Sequence, residues 1–114
     1  MKTRYYLRLP DPAKARGNDV ALAFKSEGAE GLAAELQQAL CGDELLERWQ
    51  SMQEDPDAVD ASMGAIDPEA TVSGKQSDLA IDLVATTSLP GSVFKHRLRL
   101  LAGSGWELRD VTAG

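Results

Sequence analysis

Residues Asp78 to Val111 read DLAIDLVATTSLPGSVFKHRLRLLAGSGWELRDV, and the fold turns on how Val93 to Leu101 within them is taken. Before that segment, Leu79, Ile81, Leu83 and Ala85 alternate with Ala80, Asp82, Val84 and Thr86. This is the period of two expected of a strand with one buried face. Ser88-Leu89-Pro90-Gly91-Ser92 then breaks the pattern, and it suits two different sequels. One is a helix start with serine as cap and proline in the first turn; the other is a Pro-Gly hairpin turn.

As a helix, Val93 to Leu101 gathers Phe94, Leu98 and Leu101 on one side and meets a left-handed C-terminal cap at Gly103. Arg97 then falls inside the apolar arc and must reach round the helix edge. As a strand, Phe94, His96, Leu98 and Leu100 face one way, and Lys95, Arg97 and Arg99 the other. Propensity favours the helix, because Lys, Arg, Leu and Ala are good helix formers and no β-branched residue follows Val93. Trp106, Leu108 and Val111, after Gly103-Ser104-Gly105, read as a final strand under either reading.

Working outward, Thr3 to Leu9 alternates as a strand, with Tyr5, Leu7 and Leu9 on the core side and Arg4, Tyr6 and Arg8 opposite. Pro10-Asp11-Pro12 stops it, since proline lacks the N–H a ladder needs. Val20, Leu22 and Phe24 suggest a second short strand or a lead into a helix. Ser26 is placed to cap a helix over 27 to 41, with Glu27 and Glu30 in the first turn and Leu32, Leu36, Ala39 and Leu40 at helical spacing. The apolar phase changes at Gly42-Asp43, so a second helix is expected over 44 to 53, burying Leu45, Trp49 and Met52. Asp55-Pro56 opens a further helical turn carrying Val59, Met63 and Ile66, and Asp67-Pro68-Glu69 repeats the start signal. Thr71 to Ser73 gives a short strand before Gly74-Lys75-Gln76-Ser77.

The expectation is one α+β domain over residues 1–114, a two-layer sandwich with an antiparallel sheet and helices on one face. With the helix at 93–101 the skeleton is βαββαβ, the ferredoxin-like arrangement. The alternative is an antiparallel meander with a helix pair, 93–101 forming a strand.

Composition is that of a globular chain, 43% hydrophobic and 26% charged. The longest apolar run is too short for a membrane span, and Met1 to Arg8 lacks the apolar region of a secretory signal. Cys41 stands alone, so a disulfide framework is excluded and a reducing cytoplasm is the expected location. The net charge of −6 is unevenly spread. Residues 1–26 carry six basic and two acidic groups (+4), residues 27–69 one and twelve (−11), and residues 70–114 five and four (+1). Such polarity disfavours nucleic acid and favours a basic partner or charge-matched self-association.

Chemical motifs fail on spacing. One His and one Cys cannot close a zinc site. Asp55, Asp57 and Asp60 lack the glycine and the closing glutamate of a calcium loop. Ser92 and His96 fall four apart on a helix, where Asp82 or Asp110 would have to orient the imidazole, but no nucleophile elbow accompanies them. No cofactor or metal is expected, and no catalytic residue is assigned. The candidate interaction surface is Arg4, Tyr6, Arg8, Lys95, His96, Arg97 and Arg99, in which guanidinium groups suit carboxylate-rich protein. The function expected is therefore a small non-catalytic protein acting through a protein partner or its own second copy. The alternatives are a small-molecule binder or minor enzyme with a pocket near His96 and Trp106, and a single-stranded nucleic-acid binder gripping phosphates and stacking bases.

Overall fold

The computed structural model describes residues 2–55 and 64–114. Their order is β1 (Thr3–Leu9), α1 (Ala29–Cys41), α2 (Glu44–Ser51), β2 (Thr71–Ser77), β3 (Ala80–Thr87), α3 (Gly91–Ala102) and β4 (Glu107–Ala113). The strands form one antiparallel sheet in the order β2-β3-β1-β4. The chain is α+β, and Val93 to Leu101 lies within a helix, which removes the meander alternative. No helix among the described residues is long and apolar enough to cross a membrane.

Alternation decides the two central strands. Tyr5, Leu7 and Leu9 of β1 and Ile81, Leu83 and Ala85 of β3 are buried, while their neighbours stay half-exposed. The helices cover the buried side: Leu32, Leu36 and Leu40 of α1 and Phe94, Leu98 and Leu101 of α3 complete one core. Each such side chain contributes about 1.5–3 kcal/mol by leaving water. Tyr5 and Phe94 stack with ring centroids 4.2 Å apart, fixing α3 over β1. Gly74 lets α1 approach β2, since a Cβ there would lie 2.5 Å from the Ala29 carbonyl oxygen. No residue of β4 joins the core, and all of β4 is exposed.

The hairpin between β2 and β3 turns on Asp78 and Leu79, with Asp78 at φ 53°. Leu79 thus sits in the turn, 87% exposed, and does not extend the buried row of β3. Residues 20–24 form turns and not a strand. The loop they belong to is stitched to the end of α3, where the Gly17 and Phe24 N–H groups both donate to the Leu101 carbonyl. Gly103 ends α3 with φ 62°, as a C-terminal glycine should. Gly28, not Ser26, precedes α1; the Lys25 and Ser26 N–H groups instead donate to the Glu35 carboxylate at 3.0 and 2.9 Å.

In α2 the buried residue is Leu46, Leu45 and Trp49 are half-buried, and Met52 is exposed. Trp49 and Met52 are not buried because they border a hollow shared with the loop at 18–22 and with α3. Of the helical turn expected from Asp55 to Ile66, residues 56–63 lie outside the described residues, and Ile66 at its end is exposed.

Asp67 knits the layers together. Its carboxylate accepts from the Thr87 hydroxyl and Ser88 N–H, both at 2.9 Å, and from the Glu69 N–H at 3.1 Å. Burial alone would raise its pKa, but these donors hold it below the ordinary 3.8.

Candidate interaction surface

The side of the sheet away from the helices is assembled from the alternate positions of all four strands. Antiparallel register lines them up in rows running across the strands. In one row Lys75, Asp82, Arg8 and Glu107 follow one another from β2 to β4. The next is Ser73, Val84, Tyr6 and Asp110, and the third is Thr71, Thr86, Arg4 and Thr112. Arg109 is the extra residue of a bulge where β4 pairs with β1 between Tyr6 and Leu7.

The centre of the first row is fixed by geometry. Arg8 grips Asp82 through Nε–H to Oδ1 at 2.8 Å and Nη2–H to Oδ2 at 3.2 Å, the two-pronged fit that guanidinium makes with carboxylate. This contact, chiefly through its hydrogen bonds, lowers the Asp82 pKa and raises that of Arg8. Tyr6 has its phenol pKa lowered first by hydrogen bonding with Arg4, then with Thr112. Lys75 and Arg4 make no ion pair among the described residues. The face is largely polar, and no helix among the described residues covers it.

Of the residues proposed from sequence, Arg4, Tyr6 and Arg8 share this face. The four from α3 do not. Lys95, His96 and Arg99 lie in the helix layer, across the sheet from Arg8. Arg97 belongs to no surface: it is 0% exposed, and its guanidinium donates to the Ala39 carbonyl at 3.3 Å and to that of Ala65. The helix turns Arg97 inward beside Phe94 and Leu98, and the backbone carbonyls it meets there replace the water it would otherwise need. Burial lowers its pKa from the ordinary value.

His96 packs edge-on to Trp49 of α2, with centroids 4.5 Å apart and planes at 72°. Its Nδ1 is buried without a hydrogen-bond partner among the described residues, and burial, then Arg97 and Arg99, lower its pKa from 6.5. The sheet divides it from Asp82, which is engaged with Arg8, and from Asp110 on the open face, so neither carboxylate orients the imidazole. A hollow of about 330 Å³ opens beside His96 and Trp49. Trp106 lies outside it, in a neighbouring depression, its Nε1–H donating to the Gly103 carbonyl at 2.9 Å. Among the described residues no three His, Cys, Asp or Glu side chains gather as metal ligands would.

Sequence reading alone missed Lys75, Asp82, Val84, Glu107 and Asp110 as members of the surface. The signal for two of them was present. Once β3 pairs with β1, its polar alternation must set Asp82 and Val84 beside Arg8 and Tyr6. The contact of Trp49 with His96 leaves no trace in local spacing.

Comparison with known proteins adds no relative: no protein-family model, curated protein or solved structure matches the chain.

Proposed function

We propose that this protein acts without catalysis, as a homodimer joined through the helix-free face of its sheet. The observation that carries the reading is the sign order of one row: Lys75, Asp82, Arg8, Glu107, or plus, minus, plus, minus across the sheet. A two-fold axis running along the strands, between β3 and β1, lays β2 over the partner's β4 and β3 over the partner's β1. Lys75 then meets the partner's Glu107, and Asp82 the partner's Arg8. Along the second row Val84 meets Tyr6 and Ser73 meets Asp110; along the third Thr86 meets Arg4. Every contact occurs twice, as an isologous interface requires. The axis also keeps the strands of the two sheets nearly aligned, the common mode of sheet-on-sheet packing.

Magnitudes set the kind of dimer. Four strands about 4.8 Å apart and seven residues long at roughly 3.3 Å each present about 450 Å² of flat sheet. That is below the roughly 800 Å² per partner of a standard stable complex. The dimer is therefore weak and concentration-dependent, with electrostatic match giving specificity more than affinity. Division of the basic groups between opposite sides of the sheet works against a nucleic-acid track, which draws its affinity from many phosphate contacts on one surface.

Molar mass by light scattering over a concentration series tests the reading. The expected result is a rise from 12.2 kDa toward twice that value, diminished by high salt because screening weakens the rim pairs. A strict monomer at every concentration in both salts would overturn it.

A further inference from the structure

The helix layer carries a second, unrelated opportunity. One hollow, of about 650 Å³ between α1, α2 and the loop after β1, is lined by Asp43 and by four charges that are already engaged, Lys25, Glu35, Glu44 and Arg48. Glu35 holds two backbone N–H groups there, and Arg48 pairs with Glu44. The hollow beside His96 differs. At about 330 Å³ it falls at the lower end of small-molecule sites, roughly 300–1,000 Å³. Leu22, Trp49, Met52 and Leu100 supply its apolar lining, and the His96 ring, edge-on, holds Trp49 in place.

Two opposite charges line the same hollow, and neither is in an ion pair among the described residues: Arg99 of α3 and Asp19 of the loop. Among the described residues the Asp19 carboxylate accepts the Ala21 N–H at 3.0 Å, which orders its turn and leaves the charge in place. An anionic ligand would be repelled by Asp19 and a cationic one by Arg99. A compact zwitterion satisfies both, and the apolar wall selects its side chain.

We propose that this cleft binds a free α-amino acid with an aromatic or branched apolar side chain, its carboxylate at Arg99, its ammonium at Asp19 and its side chain against Trp49 and Leu100. The guanidinium offers the carboxylate two parallel donors, and Asp19 accepts from the ammonium. Trp49 gives the side chain a flat apolar surface at little entropic cost.

The test is a titration of the intact chain with L-phenylalanine and L-leucine, followed by the Trp49 indole and His96 ring NMR signals. N-acetyl-L-phenylalanine, which lacks the ammonium, and phenethylamine, which lacks the carboxylate, serve as controls. Saturable shifts of both reporters are expected with the amino acids, and about tenfold weaker binding of each control, the loss of one charged contact. Arg99→Gln should weaken L-phenylalanine about tenfold and leave phenethylamine unchanged, while Asp19→Asn, which keeps the turn, should weaken L-phenylalanine and leave the N-acetyl compound unchanged. Absence of saturable shifts up to about 10 mM would overturn the proposal, as would equal binding of all the compounds or indifference to both substitutions. None of these readouts depends on the dimer.

Discussion

The two faces of the sheet are built from alternate residues of the same strands, yet they are held by different forces. Toward the helices, Leu7, Leu9, Ile81 and Leu83 are almost wholly buried, and the polar groups among them are tied to specific partners: Asp67 to Thr87 and Ser88, Arg97 to carbonyls. On the open side, Arg8 and Asp82 keep about a third of their side-chain surface in water. Exposed ion pairs contribute about 0–1 kcal/mol to stability. The covered face therefore sets whether the chain folds, and the open face is free to set what the folded chain meets. Two arginines show the contrast, since Arg8 answers to a carboxylate beside it in the sheet and Arg97 to main-chain oxygens of distant segments.

Substitutions should separate the two roles. The largest effect is expected from Phe94→Ala, which removes a fully buried ring stacked on Tyr5. Urea unfolding should show a loss of about 3–5 kcal/mol. Arg97→Met keeps an apolar stem but no donors, leaving the Ala39 carbonyl without this buried donor, and should cost about 1–3 kcal/mol. If Arg97→Met were neutral, the guanidinium would be a passenger in the core.

Acid provides a graded version of the same contrast. The Asp67 and Asp82 carboxyls both have folded pKa values below 3.8, so the stability they contribute is complete well above that value. It is lost as pH falls through the lowered folded values. His96 adds a loss of the same sign that begins earlier, below 6.5, because the unfolded imidazole takes up a proton that the folded one resists. Unfolding free energy should thus decline from pH 7 downward in two stages, the first missing in His96→Phe and the second reduced in Asp67→Asn. Smallest of all, Lys75→Glu on the open face should change monomer stability by less than about 0.5 kcal/mol, whatever it does to association.

Much of this architecture is legible in the sequence because it rests on local periodicity. The buried rows of β1 and of β3 from Ile81 onward are visible in their alternation, and α1 in Leu32, Leu36 and Leu40. What escaped reading depends on the backbone or on long-range pairing. Gly74-Lys75-Gln76-Ser77 reads as a turn because it is polar, yet pairing with β3 makes it strand. The burial of Arg97 depends on oxygens of Ala39 and Ala65, which no side-chain pattern records. The open-face surface was half legible: Arg4, Tyr6 and Arg8 follow from alternation, but Lys75 and Glu107 enter only through register. Lys95, His96 and Arg99 do not join the same surface, because α3 packs on one side of the sheet and Arg4, Tyr6 and Arg8 project from the other.

The most direct test of the account is sedimentation velocity on the wild type, Lys75→Glu, and the double variant Lys75→Glu/Glu107→Lys over the same concentrations. Wild type and double variant should move from 12.2 kDa toward twice that mass, and the single variant should remain a monomer, because exchanging both signs restores the match that one reversal destroys. A wild type that stays monomeric throughout, or a Lys75→Glu variant that dimerises as well as the wild type, would contradict it.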